Sequence, residues 1–302
     1  MNIVPNTIPE SPIMQLHDPL IEKMQISVSI KRDDLLHPII HGNKWRKLKY
    51  NLAAFASSDK SELLTFGGPF SNHLYATAAA GKIFKIPTRA IVRGPFLDES
   101  NPTIRFARAC GMQLHPVSRI DYRQRHDPSY LEQLHTTYPN AYILEEGGTN
   151  KAALKGVNEL AVSLPEHDYL LCPTGSGGTL AGLITGHTRK QVLGIAVLKE
   201  AQYLVPQINA LAPQPICDWR LMTNYHDGGY GRFSSSLWEF CQWMYRTHHL
   251  PLEPIYSGKM MYALWQLIEQ GYFPAGSQII AVHTGGLQGK DGLRYRQLIN
   301  AS

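Results

Sequence analysis

The sequence predicts an α/β protein built on open, mainly parallel, twisted sheets covered by helices. Three observations carry that prediction. Short apolar runs alternate with helix-like segments from about residue 60 onward. Four glycine-rich turns follow apolar runs, and three of them lead directly into a helix-like segment. The 302 residues, 43% of them hydrophobic, suffice for one large or two moderate domains with a sizeable core.

In chain order, "HGNKWRKLKYNLAAF" opens the regular structure as an amphipathic helix. Trp45, Leu48, Leu52 and Phe55 recur at helical spacing, with Asn43 as the expected N-cap. "ELLTF" then leads into "SNHLYATAAAGKIF", "TRAIVRG" into "NPTIRFARACG", and "AYILEE" into "NKAALKGVNELAVSL". "DYLLCPTGSGGTLAGLITG" and "QVLGIAVLKEAQYLVPQINAL" repeat the pattern, and "SQIIAVHTGG" closes it. Strands alternating with helices of this length form βαβ units and parallel sheet. There is no fixed-period repeat and no low-complexity tract. Gly147-Gly148 is the expected crossing between two lobes, a larger one of residues 1–47 plus 151–302 and a smaller one of residues 48–150.

Composition narrows the function classes. The formal charge of +5 is a mild excess, and outside residues 44–49 the basic residues are interspersed with acids. That disfavours a nucleic-acid binder. No basic segment followed by an apolar run marks the N-terminus, and no apolar stretch approaches the ~20 residues of a membrane span. The four cysteines, Cys110, Cys172, Cys217 and Cys241, are far apart and lack CxxC pairing, which fits free thiols in a reducing compartment such as the cytoplasm.

The turn "PTGSGGTLAGL", residues 173–183, has the pattern of an anion cradle. Glycine lets backbone N–H groups face phosphate oxygens, Ser176 and Thr179 add hydroxyls, and a helix N-terminus follows. A dinucleotide fingerprint would need glycine where Leu180 stands, and a Walker loop would need lysine where Leu183 follows Gly182. A single phosphate group is the expected ligand; the alternative is a tight turn without one. Lys44 falls in the first turn of the first helix, off the apolar stripe, where a cation opposes the helix dipole. That field and burial would lower its pKa, as Schiff-base chemistry requires; a plain surface lysine is the alternative. Lys47 and Lys49 are expected to be solvated. A phosphate cradle and a reactive amine together are what pyridoxal 5'-phosphate needs.

"KRDDLL", "GNKWRKL", "GGPFSNH", "PTGSGGT", "EPIYSGK" and "HTGG" occur in order over nearly the whole chain. In these motifs the chain resembles the 1-aminocyclopropane-1-carboxylate deaminase/D-cysteine desulfhydrase family of fold-type II pyridoxal-phosphate enzymes, the tryptophan synthase β-like superfamily. The resemblance implies a two-lobed enzyme, a homodimer, acting on a small amino acid. It makes Lys44 the cofactor-bearing lysine and the acid/base at the substrate Cα. It puts Asn72 beside the cofactor ring, and Thr174, Gly175, Ser176, Gly177, Gly178 and Thr179 around the phosphate. Ser71, Asn72 and His73 become the substrate loop, with Ser71 a possible proton-transfer aid, and Tyr256 and Tyr230 the active-site tyrosines. For Tyr230 a turn tyrosine is the alternative, and for His73 a helix-surface histidine. Two departures stand out: Phe70 replaces a usually polar residue, with no arginine near Tyr75, and "LQGKDGLRYRQL" replaces a more apolar tail.

Ser257 bears on the reaction. In this family the corresponding position faces the pyridine nitrogen; cyclopropane-cleaving members have glutamate there and D-cysteine desulfhydrases a small hydroxyl residue. Serine cannot supply a lasting proton, and the weaker electron sink suits β-elimination of a good leaving group. The resemblance therefore implies conversion of D-cysteine to pyruvate, sulfide and ammonia. The rival readings are the cyclopropane deaminase yielding 2-oxobutyrate, a non-catalytic cofactor-binding protein, and a nucleic-acid binder using residues 44–49.

Overall fold

The computed structural model describes residues 10–186 and 191–299. Among the described residues ten strands form two sheets: β1 (Ile13–Leu16), β2 (Ser27–Lys31), β3 (Glu62–Gly67), β4 (Thr88–Arg93), β5 (Gln113–Val117), β6 (Ala141–Leu144), β7 (Tyr169–Thr174), β8 (Gln191–Ala196), β9 (Trp219–Met222) and β10 (Gln278–Val282). The six-stranded sheet has the order β1-β2-β10-β7-β8-β9, and the four-stranded sheet the order β5-β4-β3-β6. Only β1 pairs antiparallel, at an edge. The predicted mainly parallel architecture is therefore present, and each predicted strand–helix unit is found.

The sheets are parallel because their central strands are apolar on both faces. In β7, Leu171 joins the helix Ser257–Glu269 through Met260, Leu264 and Ile268. Its neighbours Leu170 and Cys172 face the opposite way, against Val157 and Leu160 of the helix Lys151–Ser163. In β3, Leu63 packs on Trp45, Leu48, Leu52 and Phe55, the stripe read from the sequence, while Leu64 and Phe66 pack on Tyr122 and Leu134. Burying each such leucine contributes about 1.5–3 kcal/mol, so both faces of both sheets hold their helices.

The helix Asn43–Ala56 begins one residue earlier than an Asn43 cap would require. Gly42 is the N-cap, with φ +54°, and Asn43 is the first helical residue. A Cβ on Gly42 would stand 1.9 Å from the Thr284 carbonyl oxygen, so only glycine allows this helix start to lie against the turn after β10. Asn43 is thereby free to reach across the molecule. The four glycine-rich turns follow β3, β6, β7 and β10 at their C-terminal ends, where open parallel sheets bind ligands.

Candidate active site

Two ammonium groups form the floor of the site. Lys44 donates to the Gly147 carbonyl at 3.5 Å. Lys47 donates to the same carbonyl at 3.3 Å and to Thr149 Oγ1 at 3.0 Å. Thr149 Oγ1 in turn lies 2.8 Å from Ser176 Oγ in the turn after β7. Burial lowers the Lys44 amine to about 8, partly opposed by the Glu146 carboxylate. Lys47 is pushed well below the ordinary lysine value by burial and by the Lys44 charge. Neither has a carboxylate within ion-pair distance among the described residues.

Lys47 corrects the expectation of a solvated surface lysine: it is 1% exposed. Lys49 is also engaged, with Glu159 at 2.6 Å, and Arg46 is buried in a pair with Asp33 at 2.5 Å. The cluster at residues 44–49 is therefore not a free basic patch, which removes the structural basis for nucleic-acid binding there. Position could have flagged Lys47, because it follows Lys44 by three residues and shares its helix face.

The predicted cradle lies against these amines. Thr174 ends β7, Gly175 and Ser176 follow, Gly177 caps the helix Gly178–Ile184 in the left-handed region (φ +78°), and Thr179 is buried in its first turn. A Cβ on Gly178 would stand 2.9 Å from Lys47 Nζ, so the turn keeps a side-chain-free surface beside a desolvated cation. Asn43 Nδ2 donates to Thr179 Oγ1 at 2.9 Å and ties the lysine-bearing helix to this turn. An amine lowered to about 8, with a second ammonium against a glycine turn, fits pyridoxal phosphate, whose aldehyde requires an amine and whose phosphate requires cations and N–H donors.

Ser71 caps the helix Asn72–Phe84, its Oγ accepting from the Leu74 N–H at 3.2 Å. The first-turn amides of Asn72 and His73 then open outward, as helix N-termini require. The Asn72 side chain lines a cavity shared with Tyr230 and Tyr256, whose rings meet edge to face at 5.9 Å. Burial and the neighbouring Tyr230 raise the Tyr256 phenol well above its ordinary value. Tyr230 is 44% exposed and faces this cavity. His73 is neither on the surface nor in the cavity lining. It is buried, its Nε2 lies 2.8 Å from Thr65 Oγ1, and burial with the two lysine charges holds it neutral.

Ser257 is fully buried at the start of its helix. Its hydroxyl donates to Glu253 Oε1 at 3.1 Å and accepts from the Glu253 N–H at 3.3 Å. Glu253 also accepts N–H bonds from Ile255, Tyr256 and Ser257 at 2.7, 2.9 and 2.6 Å. Burial nevertheless pushes its carboxyl up to about 7. Lys259 was likewise not anticipated from the sequence. It is 1% exposed and donates to the Gly229 carbonyl at 2.6 Å, fixing the loop that presents Tyr230.

The pyridoxal-phosphate dependent enzyme family model matches residues 6–285. A putative 1-aminocyclopropane-1-carboxylate deaminase of Pyrococcus furiosus is 27% identical over 93% of this chain and 90% of its own length. The bifunctional D-cysteine desulfhydrase/1-aminocyclopropane-1-carboxylate deaminase, mitochondrial, of Arabidopsis thaliana is 27% identical over 86% of this chain and 72% of its own. Among solved structures, that of an ACC deaminase homologue superposes with a TM-score of 0.80 at 25% identity, covering 96% of this chain and 94% of that one.

Proposed function

This chain belongs to the pyridoxal-phosphate dependent enzyme family, and from that premise we propose that it is a lyase removing a β-substituent from an amino acid, with deamination to a keto acid. The observation that carries the reading is the pairing of Lys44, lowered to about 8, with Lys47 against the glycine turn. When bound, pyridoxal phosphate draws electrons from the substrate Cα. The chain's residues do the rest.

Lowered to about 8, Lys44 offers roughly a tenth of its amine unprotonated at pH 7, far more than an ordinary lysine, which suits it to hold the cofactor and to take the proton at the substrate Cα. Lys47, Ser176 and Thr179 hold the phosphate with the first amides of the helix Gly178–Ile184. The Asn72 and His73 amides, at a helix start shaped by the Ser71 cap, receive the substrate carboxylate. The His73 side chain acts from beneath, keeping that helix start in place through Thr65, and only its backbone amide meets the substrate. Tyr256 and Tyr230 line the cavity beside Asn72, where their protonated phenols can donate to a leaving group.

The relatives' names bring two reactions, D-cysteine desulfhydration and opening of the cyclopropane ring. Ser257 favours elimination, because its hydroxyl is committed to Glu253 and is not itself an acid. Assembly as a homodimer rests on the family resemblance. A cytoplasmic location is consistent with four free thiols; among the described residues no helix is long and apolar enough to cross a membrane. The test is a panel of D-cysteine, L-cysteine, β-chloroalanine and the cyclopropane amino acid, read as sulfide, pyruvate and 2-oxobutyrate. Pyruvate should dominate; dominant 2-oxobutyrate would move the assignment to ring opening, and no keto acid from any member would remove the lyase reading.

A further inference from the structure

The cavity beyond Asn72, Tyr230 and Tyr256 has a volume of about 540 Å³. That lies within the ~300–1,000 Å³ of pockets that hold drug-sized ligands, more room than a three-carbon amino acid uses. Its walls carry four arginines, Arg93, Arg119, Arg232 and Arg296, which arrive from four separate segments. None of their guanidinium groups has an ion-pair or hydrogen-bond partner among the described residues. The one acid in the lining, Glu253, spends its oxygens on three backbone amides and Ser257. The cations therefore face the cavity uncompensated.

Phe70 packs against the C-terminal segment, its ring 6.2 Å from that of Tyr295. The Arg296 guanidinium lies over the same Phe70 ring at 5.7 Å. A ring face orients a guanidinium and leaves its N–H edges free for an oxyanion. Arg93 is held similarly over Tyr122 at 5.8 Å.

We propose that the preferred substrate is an acidic amino acid, whose β-substituent carries a second anionic group received by Arg232 and Arg296, with Arg93 and Arg119 at the rim. This rests on the lyase reading and specifies its substrate class. An amino acid held at Asn72 and Tyr256 extends its side chain into a cavity where guanidinium groups bind carboxylate, sulfonate or phosphate by paired hydrogen bonds. They also stabilise the departing anion. The Cα–H bond breaks and its proton goes to Lys44. Its electron pair forms the Cα–Cβ double bond as the Cβ–substituent bond breaks, and the substituent leaves with that bond's electrons. Water then hydrolyses the released 2-aminoacrylate to pyruvate and ammonia.

The test uses the holoenzyme in two arms. In calorimetric titrations, aspartate and glutamate are compared with alanine and 2-aminobutyrate, each as both enantiomers. An acidic amino acid should bind roughly ten- to hundredfold more tightly than its neutral counterpart. Arg232→Ala with Arg296→Ala should remove most of that ratio, and the paired lysine substitutions should restore part of it; thermal unfolding checks that the variants fold. In the turnover arm, O-succinylserine, cysteate and O-phosphoserine separate carboxylate, sulfonate and phosphate, with D-cysteine and β-chloroalanine as neutral references. Equal or weaker binding of the acids, or an acid preference that persists in the double alanine variant, overturns the proposal. Pyruvate from neutral substrates without acid preference overturns it while the lyase reading stands. Acid-selective binding with no keto acid formed overturns the lyase reading instead and leaves the specificity in place.

Discussion

At the floor of the site, Lys44 and Lys47 are desolvated amines whose pKa values are driven down by burial. At its mouth, Arg93, Arg119, Arg232 and Arg296 are exposed guanidinium groups on four unrelated segments. Both regions are positive, yet they suit different work. A buried amine loses its proton at moderate cost and becomes a nucleophile or base, whereas a guanidinium keeps its charge and serves only to bind. The floor is also locked by bonds among distant turns, including Asn43 to Thr179 and Lys47 to Thr149. The mouth is open, with two of its cations, Arg93 and Arg296, over aromatic faces. Chemistry common to a family belongs at such a floor, and selection among substrates at such a mouth.

The largest expected break in that division is Lys44→Ala. It should lower kcat for keto-acid formation by about 10²–10⁴-fold, the range of a lost general acid–base group, in rapid-quench assays on the best substrate of the panel. A second test concerns Glu253, between floor and mouth. Its carboxyl is raised from 4.5 to about 7 by burial, so the folded protein holds a proton there that the unfolded chain releases. Stability should therefore be greatest below about 4.5 with respect to this group and fall as pH rises toward about 7. The loss amounts to roughly 3 kcal/mol. Glu253→Gln should flatten that slope in urea melts run between pH 4.5 and 7.5; an unchanged slope would show that the carboxyl is not protonated in the folded state.

Lys47→Met should weaken cofactor binding by roughly ten- to hundredfold, the loss of one charge-assisted contact, read from cofactor absorbance during dialysis. An unaltered affinity would return Lys47 to a purely structural role. The smallest effect is expected for Ser257→Ala, which deletes the hydroxyl's bonds to the Glu253 carboxyl and N–H and should cost about 1.5 kcal/mol in urea denaturation.

Much of this protein was legible in its sequence. Apolar runs such as "YLLCPT" and "QVLGIA" become strands buried on both faces, and the Trp45-Leu48-Leu52-Phe55 stripe packs on β3 as its spacing requires. These features depend on local pattern. What was illegible depends on partners far away in the chain. Lys47 is buried because Gly147 and Thr149, about a hundred residues on, close over it. Gly42, not Asn43, caps its helix because the Thr284 backbone leaves no room for a side chain. The four cavity arginines are unremarkable singly, and only the fold gathers them. Glu253 was read as part of a motif, but its burial and its hold on Ser257 follow from the tight helix start.

The central claim is that two lysines three residues apart have separate tasks, Lys44 covalent and Lys47 electrostatic. The most direct test is borohydride reduction of the holoenzyme followed by proteolysis and mass-spectrometric peptide mapping. The account predicts a single pyridoxyl adduct on Lys44. An adduct on Lys47, or on any other lysine, would contradict it.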